Sequence, residues 1–268
     1  MRHLSAEVID RAKGEGRAAL VAYIPVGFPS FAGSVEAVRA LVGAGVDAIE
    51  FGIPYTDPVM DGPVIQEAAD LALSQGTRPA DVMRALDALS DLDAALLVMS
   101  YYNPILKYGP DAFARDLAAA GGAGVITPDL TPDSGREWIE ASRTHDVERI
   151  FLAAPSSPEE RLRLVTESST GFVYAASTMG VTGPRTHVGD AAKTLVERTR
   201  AVGAERVCVG LGVSNGAQAA EVAAYADGVI VGSAFVRRLL EAHTPSEGLR
   251  ALETLATELR NGIEEARA

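Results

Sequence analysis

Three carboxylates lie close together in the first quarter of the chain. Glu50 stands in the apolar run Ile-Glu-Phe-Gly-Ile-Pro, and Asp57 and Asp61 follow on the polar stretch after it. An ionised side chain is costly to bury, so Glu50 must be hydrogen-bonded, protonated part of the time, or face a wet pocket. Carboxyl groups in unlike environments can divide the roles of general acid and general base. The cluster of Glu50, Asp57 and Asp61 therefore predicts acid–base chemistry.

Each of these carboxylates also has a purely structural interpretation. Asp61 precedes Gly-Pro where a helical pattern begins, which is typical of a helix N-cap. Asp57, in Thr-Asp-Pro, is typical of a turn, and Glu50 is also compatible with a polar position inside a barrel. The clustering of the three residues, more than any one of them, favours a catalytic site.

Two glycine-rich turns predict a site for an anion. Residues 210–216 read Gly-Leu-Gly-Val-Ser-Asn-Gly and residues 231–235 read Val-Gly-Ser-Ala-Phe, each between an apolar run and a helical pattern. Glycines let the backbone approach a ligand closely, and the N–H groups of a helix N-terminus attract phosphate. The alternative is a pair of tight turns in which Ser214 and Ser233 are N-caps. Two such turns in succession favour the phosphate site.

Charge and composition exclude several other classes of protein. The chain carries 24 Lys and Arg against 36 Asp and Glu, a net charge of −12, which repels nucleic acid and anionic lipid. The single cysteine, Cys208, lies in an apolar run and cannot form an internal disulfide, so a buried thiol is predicted. The four histidines are His3, His145, His187 and His243. Their spacing is not that of metal ligands, so no metal site is predicted.

The elements that must position these residues are recognisable from the apolar pattern. Eight short apolar runs are each followed by turn residues and a helical pattern, which is typical of parallel strands covered on both faces. The runs are residues 19–25, 48–54, 95–101, 124–129, 149–154, 172–177, 206–212 and 228–233. Eight such units predict an α/β fold, a closed (β/α)8 TIM barrel. The competing open sheet would usually carry a dinucleotide-binding turn after its first strand, where Val-Gly-Phe-Pro-Ser stands instead.

Two insertions exceed the simple repeat. After the second strand come a loop at 55–61 and two helical segments at 62–75 and 77–90, and after the sixth strand comes a Gly/Thr/Pro-rich loop at 178–190. Both loops follow strand ends, where barrel enzymes place their active sites. No linker or block of like charge divides the chain, so residues 1–268 are predicted to form a single domain with extra helices.

Taken together, the motifs resemble those of the tryptophan synthase α-chain family. Residues 51–63 after Glu50 resemble its signature, and residues 176–183, 210–214 and 231–234 match the rest of its pattern in order. The resemblance covers essentially the whole chain. It implies a lyase of tryptophan biosynthesis that cleaves indole-3-glycerol phosphate to indole and glyceraldehyde 3-phosphate. It also implies an α2β2 complex with a β chain that holds pyridoxal phosphate (PLP), and no cofactor in this chain.

The resemblance also implies the role of individual residues. The catalytic carboxylates fall on Glu50, as base on the glycerol hydroxyl and acid toward indole C3, and on Asp61, as the anion near the ring nitrogen. The indole pocket falls on Tyr23, Tyr101 and Tyr174, and the phosphate donors fall on Gly183, Gly212, Gly232 and Ser233. A mobile lid includes Thr182, and Asp57 and Pro58 match the loop that faces the β chain.

Other phosphate-binding barrels are the nearest alternatives. An indoleglycerol-phosphate synthase would need a lysine on a strand, but Lys13, Lys107 and Lys193 all lie outside the predicted strands. A metal-dependent epimerase would need histidines at strand ends, and the predicted strands end without them. The sequence is also compatible with a non-catalytic phosphate-binding barrel. An assay of indole release distinguishes that alternative from an enzyme. The first residues include early acids and no apolar signal segment, which predicts a cytoplasmic protein.

Overall fold

The computed structural model describes residues 2–176, 190–210 and 212–266. Within them, nine strands form one parallel sheet, surrounded by twelve helices. The strands are β1 (Ala19–Pro25), β2 (Ala48–Gly52), β3 (Ala95–Met99), β4 (Gly124–Ile126), β5 (Glu148–Ile150), β6 (Leu152–Ala153), β7 (Val173–Ala176), β8 (Val207–Gly210) and β9 (Gly228–Val231). The helices are α1 (Ser5–Gly14), α2 (Phe31–Gly43), α3 (Pro63–Ser74), α4 (Ala80–Ala88), α5 (Tyr102–Tyr108), α6 (Pro110–Ala119), α7 (Arg136–Thr144), α8 (Glu159–Ser168), α9 (Asp190–Ala201), α10 (Gly216–Ala223), α11 (Ser233–Leu240) and α12 (Pro245–Glu265).

The sheet closes into a barrel through its two end strands. Its order is β5-β4-β3-β2-β1-β9-β8-β7-β6, and the end strands β5 and β6 are separated along the chain by Phe151 alone. At this break the Phe151 N–H donates to the Ser169 hydroxyl at 3.3 Å, while the Phe151 carbonyl accepts from the Tyr174 N–H of β7 at 3.1 Å. β5 and β6 are therefore the two halves of the fifth predicted strand. The predicted (β/α)8 TIM barrel is confirmed, with that one interruption.

Successive strand residues alternate between two cores. In β1, Ala19 and Val21 belong to the core inside the barrel, whereas Leu20 and Ala22 belong to the core between the strands and the helices. Because both faces are covered, the strand must be apolar at every position, which explains the continuous apolar runs in the sequence. The inner core is what separates the two ends of the barrel.

Helix α1 closes the end of the barrel at which the strands begin. Its Val8 and Ile9 side chains are buried in the inner core. The carboxylate of Glu148, the first residue of β5, accepts hydrogen bonds from the backbone N–H groups of Ser5 at 2.8 Å and Ala6 at 3.1 Å. A strand carboxylate thus supplies the cap that the helix sequence lacks. The opposite end, where the strands finish, stays accessible.

The predicted insertion after the second strand is confirmed as helices α3 and α4. Several predicted strands extend past their observed ends: β2 ends at Gly52, β3 at Met99, β4 at Ile126 and β9 at Val231. Tyr101 therefore lies beyond its strand, as the N-cap residue of α5. The longest described helix, α12, has 21 residues with polar side chains along one face. In the part of the chain that the structure describes, no helix has the length and apolar content needed to cross a membrane.

Candidate active site

A cavity of about 620 Å³, including its open mouth, lies at the end of the barrel where the strands finish. It brings together most of the residues that the sequence predicted. Its lining consists of Tyr23, Glu50, Met60, Asp61, Ile65, Met99, Leu152, Tyr174, Gly212, Ile230, Gly232 and Ser233. The lining thus combines apolar side chains with two carboxyl groups and two glycine turns. Such a composition suits a small ligand with a flat apolar part and an anionic part.

Glu50 is a buried carboxyl group inside the barrel. It lies in register with Tyr23 of β1 and Leu97 of β3, and its exposed fraction is 1%. Its Oε1 atom has no hydrogen-bond partner among the described residues. Burial raises the pKa of Glu50 from 4.5 to about 8. The group is therefore mostly protonated at neutral pH, and it can both give and take a proton there.

Asp61 is held by a tyrosine, and the interpretation of Asp61 as a helix cap is wrong. Gly62 is the N-cap residue of α3. The Asp61 Oδ1 atom instead accepts a hydrogen bond from the Tyr101 hydroxyl at 3.1 Å, and the Met60 N–H donates to that same hydroxyl at 3.0 Å. Burial raises the pKa of Asp61, and the bond from Tyr101 opposes that shift. The two carboxyl groups of the cavity therefore have unlike surroundings.

The aromatic residues remain neutral phenols in this setting. Burial raises the pKa of Tyr23 and that of Tyr174 well above 10, and the charges of nearby carboxylates raise both further. Both rings line the cavity, as the indole-pocket prediction requires. Tyr101 is not in the cavity lining and contacts it through Asp61.

Two glycines have a role that was not predicted, because they make room for these rings. A Cβ atom on Gly52 would overlap the Tyr23 hydroxyl, and a Cβ atom on Gly210 would overlap the Tyr174 hydroxyl. In each case the glycine stands two residues beyond the register partner of the tyrosine on the next strand. This spacing is the sequence signal that pairs each tyrosine with its glycine, but it can be recognised only once the strand register is known.

The glycine turns present backbone to the cavity. Gly212 has φ +100°, a conformation that side chains rarely adopt. Gly232 is the N-cap residue of α11, whose first turn has no side-chain cap, so Ser233 is not an N-cap. Ser214 is not one either, because the Asn215 side chain caps α10. The alternative in which the two serines are caps is wrong. Gly232 and Ser233, at the start of α11, line the cavity, and the backbone N–H groups of a helix N-terminus attract anions.

The remaining predicted residues lie at the rim or outside the described part of the chain. Asp57 is exposed, and its Oδ2 atom accepts a hydrogen bond from the Thr56 hydroxyl at 2.6 Å. Pro58 is half-buried beside Val59, which is 69% exposed. Thr182 and Gly183 lie outside the described residues.

Two predictions about reactive side chains can also be compared with the structure. Cys208 is a buried free thiol inside the barrel, as predicted. Across residues 2–176, 190–210 and 212–266, no group of three or more His, Cys, Asp or Glu side chains has the arrangement of a metal site.

Comparison with known proteins identifies the family. The family model for the tryptophan synthase alpha chain matches residues 9–264. The chain belongs to this family. Tryptophan synthase alpha chains from Thermobifida fusca and Mycobacteroides abscessus are 58% and 55% identical to it, over 95% and 97% of this chain and 96% and 97% of theirs.

Solved structures of the family share the whole fold. A chain in a structure of Mycobacterium tuberculosis tryptophan synthase is 51% identical, with a TM-score of 0.91 and full coverage of both chains. The tryptophan synthase alpha subunit of Legionella pneumophila is 29% identical, with a TM-score of 0.88 over 99% of each chain. Tryptophan synthase α chains cleave indole-3-glycerol phosphate to indole and glyceraldehyde 3-phosphate, and they act with a β chain that holds the PLP. The predicted family and its reaction are confirmed.

Proposed function

We propose that Glu50 and Asp61 carry out the reaction of this chain, the cleavage of indole-3-glycerol phosphate in tryptophan biosynthesis. The observation that carries the proposal is the placement of both carboxyl groups in one cavity, with different surroundings. Glu50 is buried and mostly protonated at neutral pH, whereas Asp61 is less buried and is bonded by Tyr101. These differences assign them different roles.

The cleavage is a retro-aldol reaction in which Glu50 moves two protons in turn. Protonated Glu50 first gives its proton to indole C3, which leaves a positive charge on the ring nitrogen. The carboxylate of Glu50 then takes the proton of the glycerol hydroxyl next to the ring. The bond between indole C3 and that carbon breaks, its electron pair returns to the ring, and the carbon becomes the aldehyde of glyceraldehyde 3-phosphate. One proton leaves Glu50 and one returns, so the residue is ready for the next turnover.

Asp61 stabilises the positive charge that develops on the ring nitrogen. An anion held beside a developing charge, in a site that excludes most water, lowers the barrier of the step that creates it. The hydrogen bond from Tyr101 favours the ionised form of Asp61. It also fixes the direction of the carboxylate, which a flexible side chain at the mouth of the barrel would not keep.

The rest of the site binds the two ends of the substrate. The indole ring lies between Tyr23 and Tyr174, and the phosphate lies on the backbone of Gly212, Gly232 and Ser233. The cavity supports this arrangement because the rings and the glycine turns line it together. In the proposal, Gly183 completes the phosphate site and Thr182 belongs to the lid.

We also propose an organisation for the protein. Asp57 and Pro58 contact the β chain in an α2β2 complex, an assignment supported by the exposed position of their loop at the mouth of the cavity. The chain works as a single barrel domain over residues 1–268. Its place is the cytoplasm, where the pathway of this biosynthetic family supplies its substrate.

Indole release by Glu50→Gln tests the proposal directly. The variant keeps the shape of the side chain and loses its titration, so we expect turnover to fall by at least about 10²-fold with the fold intact. Glu148→Gln is the matched control, because Glu148 is also a buried carboxyl group with a raised pKa but lies at the far end of the barrel. Turnover by Glu50→Gln equal to that of the control would remove Glu50 from the mechanism.

A further inference from the structure

The helix that follows Tyr101 is capped from a different loop. Tyr101 is the N-cap residue of α5, and its side chain makes no capping bond. Instead the Tyr102 N–H donates to both carboxylate oxygens of Asp129, at 2.9 Å to Oδ1 and 3.2 Å to Oδ2. Asp129 stands on the loop after β4, 27 residues further along the chain. The backbone that carries Tyr101 is thus anchored by the neighbouring loop of the barrel.

Tyr101, the residue before Tyr102, is also the residue that holds Asp61. The Tyr101 hydroxyl donates to Asp61 Oδ1 at 3.1 Å and accepts from the Met60 N–H at 3.0 Å. The Tyr101 carbonyl accepts from the buried Ser100 hydroxyl at 2.7 Å. Tyr101 is therefore held at its backbone and at its hydroxyl. Because the ring between them is rigid, a shift of the backbone would also move the hydroxyl.

A second contact joins the same loops. The rings of Tyr55 and Tyr101 lie 5.5 Å apart between centroids. The Asn103 side-chain amide, in the first turn of α5, donates to the Tyr55 hydroxyl at 3.1 Å. The loops after β2, β3 and β4 are consequently tied together, and the start of α5 is their common point. Movement of that point would displace both the ring that braces Tyr101 and the hydroxyl that orients Asp61.

We infer that Asp129 is a positioning residue for the reaction, which aligns Asp61 by fixing Tyr101. The inference rests on the proposed role of Asp61. Asp129 acts at the mouth beside β3 and β4, whereas the phosphate turns follow β8 and β9. Its loss should therefore lower kcat, because the anion beside the ring nitrogen is misplaced, and leave KM nearly unchanged, because the grip on the phosphate is intact.

A double-mutant cycle with the full chain and its β chain tests the inference by indole release. We expect Asp129→Ala to lower kcat about tenfold with KM changed by less than about twofold. Asp129→Asn keeps one acceptor oxygen for the Tyr102 N–H, so its kcat should stay within about threefold of wild type. In a Tyr101→Phe background the connection to Asp61 is already broken, and Asp129→Ala should lower kcat by less than about a further twofold.

Asp133→Ala is the matched control, since Asp133 lies on the same loop and pairs with Arg161 at the surface. It should keep the kcat of wild type. Wild-type kcat in Asp129→Ala, or the same loss in both backgrounds, would overturn the inference, because a cap that only stabilises α5 does not depend on the Tyr101 hydroxyl. If circular dichroism shows that Asp129→Ala is unfolded, Asp129→Glu takes its place, with the acceptor displaced by one methylene. Wild-type turnover by Asp61→Asn and Tyr101→Phe alone would instead overturn the proposed role of Asp61.

Discussion

The hydroxyl of Tyr23 occupies the space in which a Cβ atom on Gly52 would stand. The two residues lie on adjacent strands, and Gly52 is the last residue of β2, two positions after Glu50. The absence of a side chain at Gly52 allows the Tyr23 ring to lie back against the barrel wall. The width of the cavity in front of Glu50 therefore depends on a glycine that makes no polar contact with a ligand.

Gly52→Ala should narrow the cavity by pushing the Tyr23 ring into it. We expect kcat/KM for indole-3-glycerol phosphate to fall at least about tenfold, mainly through a higher KM, because the ring of the substrate loses its space. Gly43→Ala is the control, since a Cβ atom there meets nothing within 4 Å. Steady-state kinetics and melting temperatures of both variants test this effect. An unchanged kcat/KM in a folded Gly52→Ala variant would contradict the prediction.

The raised pKa of Glu50 predicts a dependence of stability on pH. Between pH 4.5 and about 8 the native protein keeps a proton on Glu50 that the unfolded chain releases. The free energy of unfolding should therefore fall as pH rises through this interval, with the contribution of Glu50 fully present below it and lost above it. Glu50→Gln does not titrate, so at about pH 9 it should be more stable than wild type by on the order of a few kcal/mol.

Urea unfolding of both proteins at about pH 5 and about pH 9 measures this difference. Other buried carboxyl groups, such as Glu148, are common to both proteins, so the difference between them isolates Glu50. Parallel changes of stability with pH in the two proteins would mean that Glu50 titrates in its ordinary range.

Gly232→Val should weaken binding of the phosphate group. Gly232 has φ −118°, and a Cβ atom there lies 3.5 Å from the Cβ of Tyr23, an ordinary contact, so the larger side chain fits the backbone but fills the space in front of α11. We expect KM to rise at least about tenfold and kcat to change less. Gly212→Val carries an additional backbone penalty of about 1 kcal/mol or more from its positive φ, so its melting temperature should fall as well. A normal KM in Gly232→Val would place the anion elsewhere.

Asp57→Ala should affect the response to the β chain. Asp57 is exposed at the rim and is bonded by the adjacent Thr56, so its removal leaves the described cavity unchanged. We expect the stimulation of indole release by the β chain to fall at least about threefold while the basal rate stays within about twofold. Asp70→Ala, at an exposed position of α3, is the control. Equal losses of the basal and the stimulated rate would show that Asp57 serves the active site directly.

The fold class and the candidate catalytic residues could be predicted from local patterns in the sequence. Strands buried on both faces must be apolar throughout, so their positions could be inferred from local composition. Glu50 and Asp61 belong to one continuous motif, and a charged residue inside an apolar strand is conspicuous without any knowledge of its neighbours.

The groups that those residues contact depend on the tertiary structure. That Asp61 accepts from Tyr101 instead of capping α3, that Glu148 caps α1, and that Gly52 accommodates Tyr23 all depend on the register between strands. Local patterns determine which residues face the barrel interior, but a contact between strands joins residues distant in sequence, and a shift of one residue would change every such pair. Local patterns therefore indicate the candidate catalytic groups, and the closure of the barrel determines their partners, because hydrogen bonds and steric contacts depend on positions in space.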